Sequence, residues 1–268
     1  MGGNTPLSSG AETSDDPGGV VGIICEADHD VFAAVADILR ARSLEVRFFE
    51  PGRRLAPAEI DALDLLANKK VAPASIAAIR YAERHGVPTW NGYSTVLLGI
   101  RLVGLRALEA VGFDVPPVAT EKPAEGDYVA KSYCDWYFEP DPERNGEGDL
   151  YQRLVPADPV DHKYYGVGDG EETRVVVLRT TSKLHGEKEY LGTVDPDPVL
   201  AARVRRLMGL ADAQAIGVDV VWSEGVPYAV DVNPAMSFRY AGMEDVLADS
   251  MVAAMRRPER RASVEAGD

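Results

Sequence analysis

The chain holds 268 residues, 43 of them acidic and 28 basic, for a net charge of −15. With 46% hydrophobic and 26% charged residues, it is composed like a globular protein able to bury a large core. The balance excludes nucleic-acid binding by general electrostatics, which needs a basic face. No segment reaches the roughly 18 apolar residues of a membrane span, and the N-terminus lacks a basic region followed by an apolar one. The expectation is a soluble, cytoplasmic protein. The first 19 residues carry three acids and no base, and residues 256–268 are net positive by one, which leaves −13 on residues 20–255. The acidity therefore belongs to the body, as salt adaptation or as simple colloidal repulsion. Cys25 and Cys134 do not make a disulfide framework, and neither has a partner at zinc-ligand spacing.

Residues 1–19 lack apolar periodicity and read as a disordered tail. From Val20 the pattern becomes strand, helix, strand. Val20–Cys25 is an apolar run suited to a strand covered on both faces. Val31–Arg42 is a helix with Asp30 as N-cap. Strands follow at 45–49 and 63–67, then a helix over 75–85 closed by Gly86, then a strand over 87–90. This alternation predicts a small parallel sheet with helices on both faces, over residues 20–92.

A helix is predicted over 93–111, ended by Gly112 and the prolines beyond it. The character then turns antiparallel, with strands over 128–133, 150–155, 163–167, 174–180, 216–222 and 227–232. Helices are predicted at 198–213 and 243–255. The fold class is thus α/β followed by α+β. An α/β lobe precedes a body at 93–256 with a hinge near 151–156, and residues 257–268 form a tail.

The first strand–loop–helix turn is Glu26-Ala27-Asp28-His29-Asp30. It has three carboxylates where a dinucleotide would need glycines and amides, which argues against a dinucleotide-binding Rossmann enzyme. The strongest chemical signal is Gly217-Val218-Asp219 followed, across a Ser223-Glu224-Gly225 hairpin, by Asp231-Val232-Asn233-Pro234. Asp231 and Asn233 are two apart on one strand and share a face. With Asp219 opposite, they form a hard-oxygen set that suits Mg²⁺ together with substrate phosphates. The bland reading is polar strand ends bonded to neighbouring backbone.

These segments resemble the metal-binding hairpin of the ATP-grasp superfamily, in its RimK-like glutamate-ligase and inositol-phosphate-kinase-like branches. That resemblance implies an ATP-grasp fold behind a small parallel lobe, ATP and Mg²⁺ (or Mn²⁺) as cofactors, and Asp219, Asp231 and Asn233 as metal ligands. Other pieces fall in the family's order. Arg101 stands where a lysine is usual, on a helix leading to Gly112-Phe113-Asp114-Val115-Pro116. Lys131, in Tyr128-Val129-Ala130-Lys131, stands at a phosphate-contacting position. Gln152, Arg153, Leu154 and Val155 resemble the hinge whose backbone holds adenine. Lys163, in Asp161-His162-Lys163, stands where a basic residue reaches phosphate. Two departures stand out. Arg153 replaces a usual Glu, and Tyr151 follows Lys131 by only twenty positions, too few for a long glycine-rich lid.

Arg179 and Arg239 join Lys163 as candidate catalytic cations, Arg239 as a clamp for an anionic acceptor. Lys183, Lys188 and His185 lie in a polar stretch that reads as substrate-reaching or simply solvated. Asn68-Lys69-Lys70 and Trp90-Asn91-Gly92 end strands where open α/β sheets bind ligands. The resemblance implies a carboxylate–amine ligase working through an acyl phosphate on a small anionic substrate. The alternatives are a small-molecule kinase and an ATP-binding protein that has lost catalysis.

Overall fold

The computed structural model describes residues 18–134, 143–182, 184 and 187–256. The calls on Lys183 and His185, and on both tails beyond these bounds, lie outside the described residues.

The N-terminal lobe is a four-stranded parallel sheet in the order β2-β1-β3-β4. Its strands are β1 (Val20–Ile24), β2 (Glu45–Phe49), β3 (Leu65–Asn68) and β4 (Thr89–Trp90). The unbroken apolar run of β1 is explained by two covered faces. Val21, Ile23 and Cys25 pack under helix α1 (Asp30–Ala41), whereas Ile24 joins the cluster beneath α2 (Pro57–Asp61) and α3 (Pro73–Arg84). His29, not Asp30, is the N-cap of α1, with Asp30 in the first turn. The short α2 carries its own start signals, Pro57 at the first position and Glu59 accepting from the Ala56 amide at 2.9 Å.

The helix expected over 93–111 is two helices, α4 (Tyr93–Leu97) and α5 (Arg101–Ala110). The Arg101 amide donates to the Tyr133 carbonyl (2.9 Å) instead of to the preceding turn, and Ile100 bridges Cys134. α5 then lies flush on β13, because a Cβ on Gly104 would collide with Val232 and the Leu98 carbonyl. Only glycine permits that approach.

A small antiparallel sheet, β5-β8-β6-β7, comprises β5 (Val118–Ala119), β6 (Tyr128–Lys131), β7 (Glu143–Arg144) and β8 (Leu150–Arg153). The large antiparallel sheet runs β11-β10-β9-β12-β13. It consists of β9 (Val160–Gly168), β10 (Thr173–Thr181), β11 (Tyr190–Val194), β12 (Ala215–Ser223) and β13 (Val226–Asn233). Glu224 and Gly225 join β12 to β13 with φ of 50° and 79°, as a tight two-residue hairpin requires. α6 (Pro198–Ala211) starts where Asp197 accepts from the Val199 and Leu200 amides at 2.8 and 3.0 Å. The last helix is α7 (Glu244–Met255).

One core joins the lobes. The α1 face of the N-terminal sheet, α7, and the large sheet with α6 share a single buried cluster. Among the described residues no helix is long and apolar enough to cross a membrane.

Candidate functional site

Antiparallel register decides which side chains meet. Lys163 on β9 lies opposite Asp219 on β12 and Leu178 on β10, and Asp219 lies opposite Asp231 on β13. Because side chains alternate along a strand, Asp161, Lys163 and Tyr165 share a face with Asp219, Asp231 and Asn233. Lys163 Nζ donates to Asp219 Oδ2 at 2.6 Å, and Arg101 Nη1 meets Asp231 Oδ1 at 2.8 Å from α5. Lys131 spans the two sheets. Its Nζ donates to Gln152 Oε1 (2.6 Å) on β8 and to the Val230 carbonyl (2.8 Å) on β13. The chain thus brings Arg101, Lys131, Gln152, Lys163, Asp219 and Asp231 into one network, with Asn233 at its edge.

Arg101 and Lys163 are buried, at 9% and 8% exposure. Burial alone would drive the Lys163 ammonium toward neutrality, but the Asp219 carboxylate reverses this and raises its pKa above the usual lysine range. Asp161, on the same face, is pushed up by its own burial and then by Asp219. Tyr165 is pushed up to about 12, by burial first and Asp219 second. Lys163 is therefore a fixed cation, and Asp219 the negative centre its neighbours respond to.

Could these residues hold a divalent cation? Among the described residues no group of three or more His, Cys, Asp or Glu is placed to ligate a metal. Two carboxylates and an amide remain. Asn233 Oδ1 accepts from the Ala235 amide at 2.8 Å, with a lone pair to spare. That set fits Mg²⁺, which takes one or two carboxylates and completes its shell with phosphate and water. Lys163 and Arg101 now engage the two acids.

Arg179 does not join this network. It lies opposite His162 in the β9–β10 ladder, so it projects from the other face of the sheet. There it lowers the His162 pKa, after burial itself, and its Nε is buried without a hydrogen-bond partner. The expected grouping of Arg179 with Lys163 is corrected by parity along the ladder.

The hinge is shorter than expected. β8 ends at Arg153, an exposed residue, and Leu154 and Val155 leave the ladder. The Arg153 and Leu154 amides donate to the Pro117 and Asp127 carbonyls, at 2.8 and 2.9 Å. Neither amide is therefore available to adenine. Gln152 acts through its buried side chain, 2% exposed, on Lys131, a role the hinge motif did not suggest.

Acids at 147 and 149, which would repel a triphosphate, are engaged. Lys122 pairs with Glu147, and Asp149 Oδ2 accepts from the Tyr133 amide at 3.3 Å.

Arg239 leaves the hairpin beyond Asn233, between Phe238 and Tyr240, whose φ angles are 57° and 64°. Two aromatic residues in the left-handed region mark a strained loop. Arg239 Nε reaches Asp30 Oδ2 (3.3 Å) at the mouth of the N-terminal lobe. Asn91 and Trp90 are struts and not rim ligands. Asn91 donates through Nδ2 to the Ala215 and Pro234 carbonyls (2.9 and 3.0 Å) and accepts from the Gln214 and Ala215 amides (3.1 and 2.9 Å). Trp90 Nε1 donates to Ser250 Oγ at 2.9 Å.

Three solved structures share this arrangement of elements. The ATP-grasp ligase PsnB complexed with minimal precursor superposes with a TM-score of 0.66 at 14% identity, over 87% of this chain and 99% of that one. The macrocyclase MdnC of Microcystis aeruginosa, bound to precursor peptide MdnA, gives 0.65 at 10% identity, over 87% and 99%. A RimK domain ATP-grasp protein of Sphaerobacter thermophilus gives 0.64 at 17% identity, over 88% and 98%. The fold is ATP-grasp. No family model matches the sequence, and no curated protein matches it. In ATP-grasp terms, the large sheet carries Lys163 and the three metal-ligand candidates, and the small sheet contributes Lys131.

Proposed function

We propose that the protein is an ATP- and Mg²⁺-dependent ligase that joins a carboxylate to an amine through an acyl phosphate. The observation that carries this reading is the network of Arg101, Lys131 and Lys163 around Asp219 and Asp231 on an ATP-grasp scaffold. Buried cations paired with carboxylates are a preorganised receptor for phosphate oxygens, since their desolvation is already met by the fold. On nucleotide entry Lys163 and Arg101 turn toward phosphate, which frees Asp219 and Asp231, with Asn233, to hold Mg²⁺. The ion supplies the charge that screens the triphosphate. Lys131 keeps its place through Gln152, and Val155 takes over the hinge contact that Arg153 and Leu154 cannot make.

The transfer itself is positioning and charge. The acceptor carboxylate oxygen bonds the γ-phosphorus as ADP leaves; an amine then attacks the acyl carbon and phosphate departs. Arg239, held forward by its strained loop, orients the acceptor. Solved relatives include ADP and Mg complexes of PsnB, and PsnB and MdnC bound to precursor peptides. They support a nucleotide and Mg²⁺ here, and an acceptor carboxylate carried on a peptide as readily as on a small acid.

Incubating the protein with ATP, Mg²⁺, hydroxylamine and a panel of dicarboxylates and Asp- or Glu-containing peptides tests this. ADP together with a hydroxamate is expected. ADP with a phosphoester and no hydroxamate would make it a kinase, the alternative that Asp161-His162-Lys163 suggested. Mg·ATP binding with no turnover on any acceptor would leave a nucleotide-binding protein.

A further inference from the structure

Lys69 sits just past the carboxyl end of β3, 6% exposed. Among the described residues its ammonium makes no hydrogen bond or ion pair; it meets the Phe32 ring, 6.0 Å from the centroid. The stem is buried along Phe32, while the ammonium, which is not a fully buried atom, opens to solvent. Glu26 favours its charge without pairing with it. Glu26 is engaged by Lys70 at 3.1 Å and Asp30 by Arg239 at 3.3 Å. Burial pushes the Cys25 thiol up to about 12, so it stays neutral. His29 is held below the usual imidazole range by burial, then by Lys69 and Arg239. Asp28, on the same turn, is exposed.

One more polar group here is unsatisfied. His29 Nδ1, whose ring packs edge-on against Phe32, is buried without a partner, and one tautomer makes it a donor. Asn68 Nδ2 also lacks a partner, but Asn68 pairs with Ile24 in the ladder and so faces α2 and α3, away from Lys69. Lys69, His29 and Arg239 thus converge on one sheet edge, close enough to act on one another's charge, and the Lys69 ammonium has no acceptor there among the described residues. The place is connected to the phosphate-side network. Tyr165, beside Lys163, packs on Phe238 (5.4 Å between centroids), and Phe238 packs on Phe32 (6.4 Å).

We propose that Lys69, with His29 and Arg239 around it, forms a subsite for an oxyanion of the acceptor, a carboxylate or a phosphate. Assigning that oxyanion to the acceptor rests on the proposed ligase reading; the subsite itself does not. Lysine is well suited, as a compact charge that can approach the anion without a bidentate partner. Anion entry would give the ammonium the acceptor it lacks.

The test uses the full chain with its lysines labelled at the ε-carbon. The Lys69 resonance is assigned by its loss in Lys69→Met, and it is expected to titrate near pH 8 in the ligand-free protein. Succinate and inorganic phosphate are added separately to about 100 mM, a hundredfold above a millimolar Kd, against sodium chloride at matched ionic strength. A saturable upward shift of at least tenfold in proton affinity is expected, with the affinity weakened about tenfold in Arg239→Gln. A response to phosphate alone assigns a phosphorylated acceptor, and one to succinate a carboxylate. No shift, or one that chloride reproduces, overturns the subsite. Mg·ATP binding of Lys69→Met, measured in parallel, should equal that of the parent; its loss in both proteins would instead count against the nucleotide reading.

Discussion

The two cationic regions of this acidic protein are held in opposite ways. On the large sheet, Arg101, Lys131 and Lys163 each find a protein oxygen between 2.6 and 2.8 Å away. At the edge of the N-terminal sheet, Lys69 is as buried as Arg101 and Lys163, yet among the described residues it makes no hydrogen bond or ion pair and lies against the Phe32 ring. The first arrangement stores Arg101 and Lys163 against built-in carboxylates that the nucleotide can displace, and Lys131 against amide and carbonyl oxygens. The second leaves the charge waiting for an anion from outside. A body at −13 can thus serve a polyanionic ligand, because its few buried cations are placed and not averaged over the surface.

The sharpest way to break this contrast is Lys163→Met. It removes the cation from a pair whose lysine is 10% and aspartate 29% exposed, and it leaves Asp219 and Asp161 facing each other uncompensated. Loss of one preorganised electrostatic contact to a transferred group lowers turnover by roughly 10²–10³-fold. ADP release should fall by that much, and Mg·ATP affinity, read by calorimetry, should fall with it. Unchanged turnover would mean that Lys163 merely neutralises Asp219.

Lys69 makes the complementary prediction through pH. Burial lowers its pKa from 10.5 to about 8. Below pH 8 both folded and unfolded chains carry the proton, and the folded state bears the full penalty of the buried charge. As pH rises from 8 to 10.5, the folded lysine is neutral while the unfolded one is still charged, so stability rises. The whole gain is about 3 kcal/mol. Urea denaturation of the parent and of Lys69→Met across this range should show a stability difference that grows by that amount in the parent's favour. A flat difference would show that the Lys69 amine is not desolvated by the fold.

Much of this organisation is legible in the sequence because it is local. The apolar run of β1, the two-residue turn at Glu224-Gly225, and the spacing of Asp231 and Asn233 all follow from short-range rules. What was hidden depends on partners far along the chain. The break between α4 and α5 comes from the Arg101 amide finding the Tyr133 carbonyl, and within 93–111 only Gly99, in the gap, hints at it. Asn91 looked like a ligand-binding residue at a strand end, yet its amide is consumed by Ala215 and Pro234, more than a hundred positions away. β11 escaped notice because its residues are largely exposed and show no clean alternation.

Arg179 is the clearest case, and it supplies the finest test. Sequence places it among a run of cations near Lys163, but sequence does not fix register between β9 and β10. A shift of one residue sends every side chain to the opposite face. The observed register sets Arg179 opposite His162 and Lys163 opposite Leu178, so the two cations point away from each other across the sheet. A charge on the far face has no phosphate oxygen in reach, and its long-range field is weak at ordinary ionic strength. Arg179→Gln should therefore leave Mg·ATP affinity and ADP release within about twofold of the parent, while Lys163→Met abolishes most of both. The substitution should also relieve His162, whose pKa Arg179 helps to depress, and an upward move of the His162 titration by NMR would report it. If Arg179→Gln instead lowered nucleotide affinity as Lys163→Met does, the register would be off by one residue, and the face carrying Asp219, Asp231 and Asn233 would have to be reassigned.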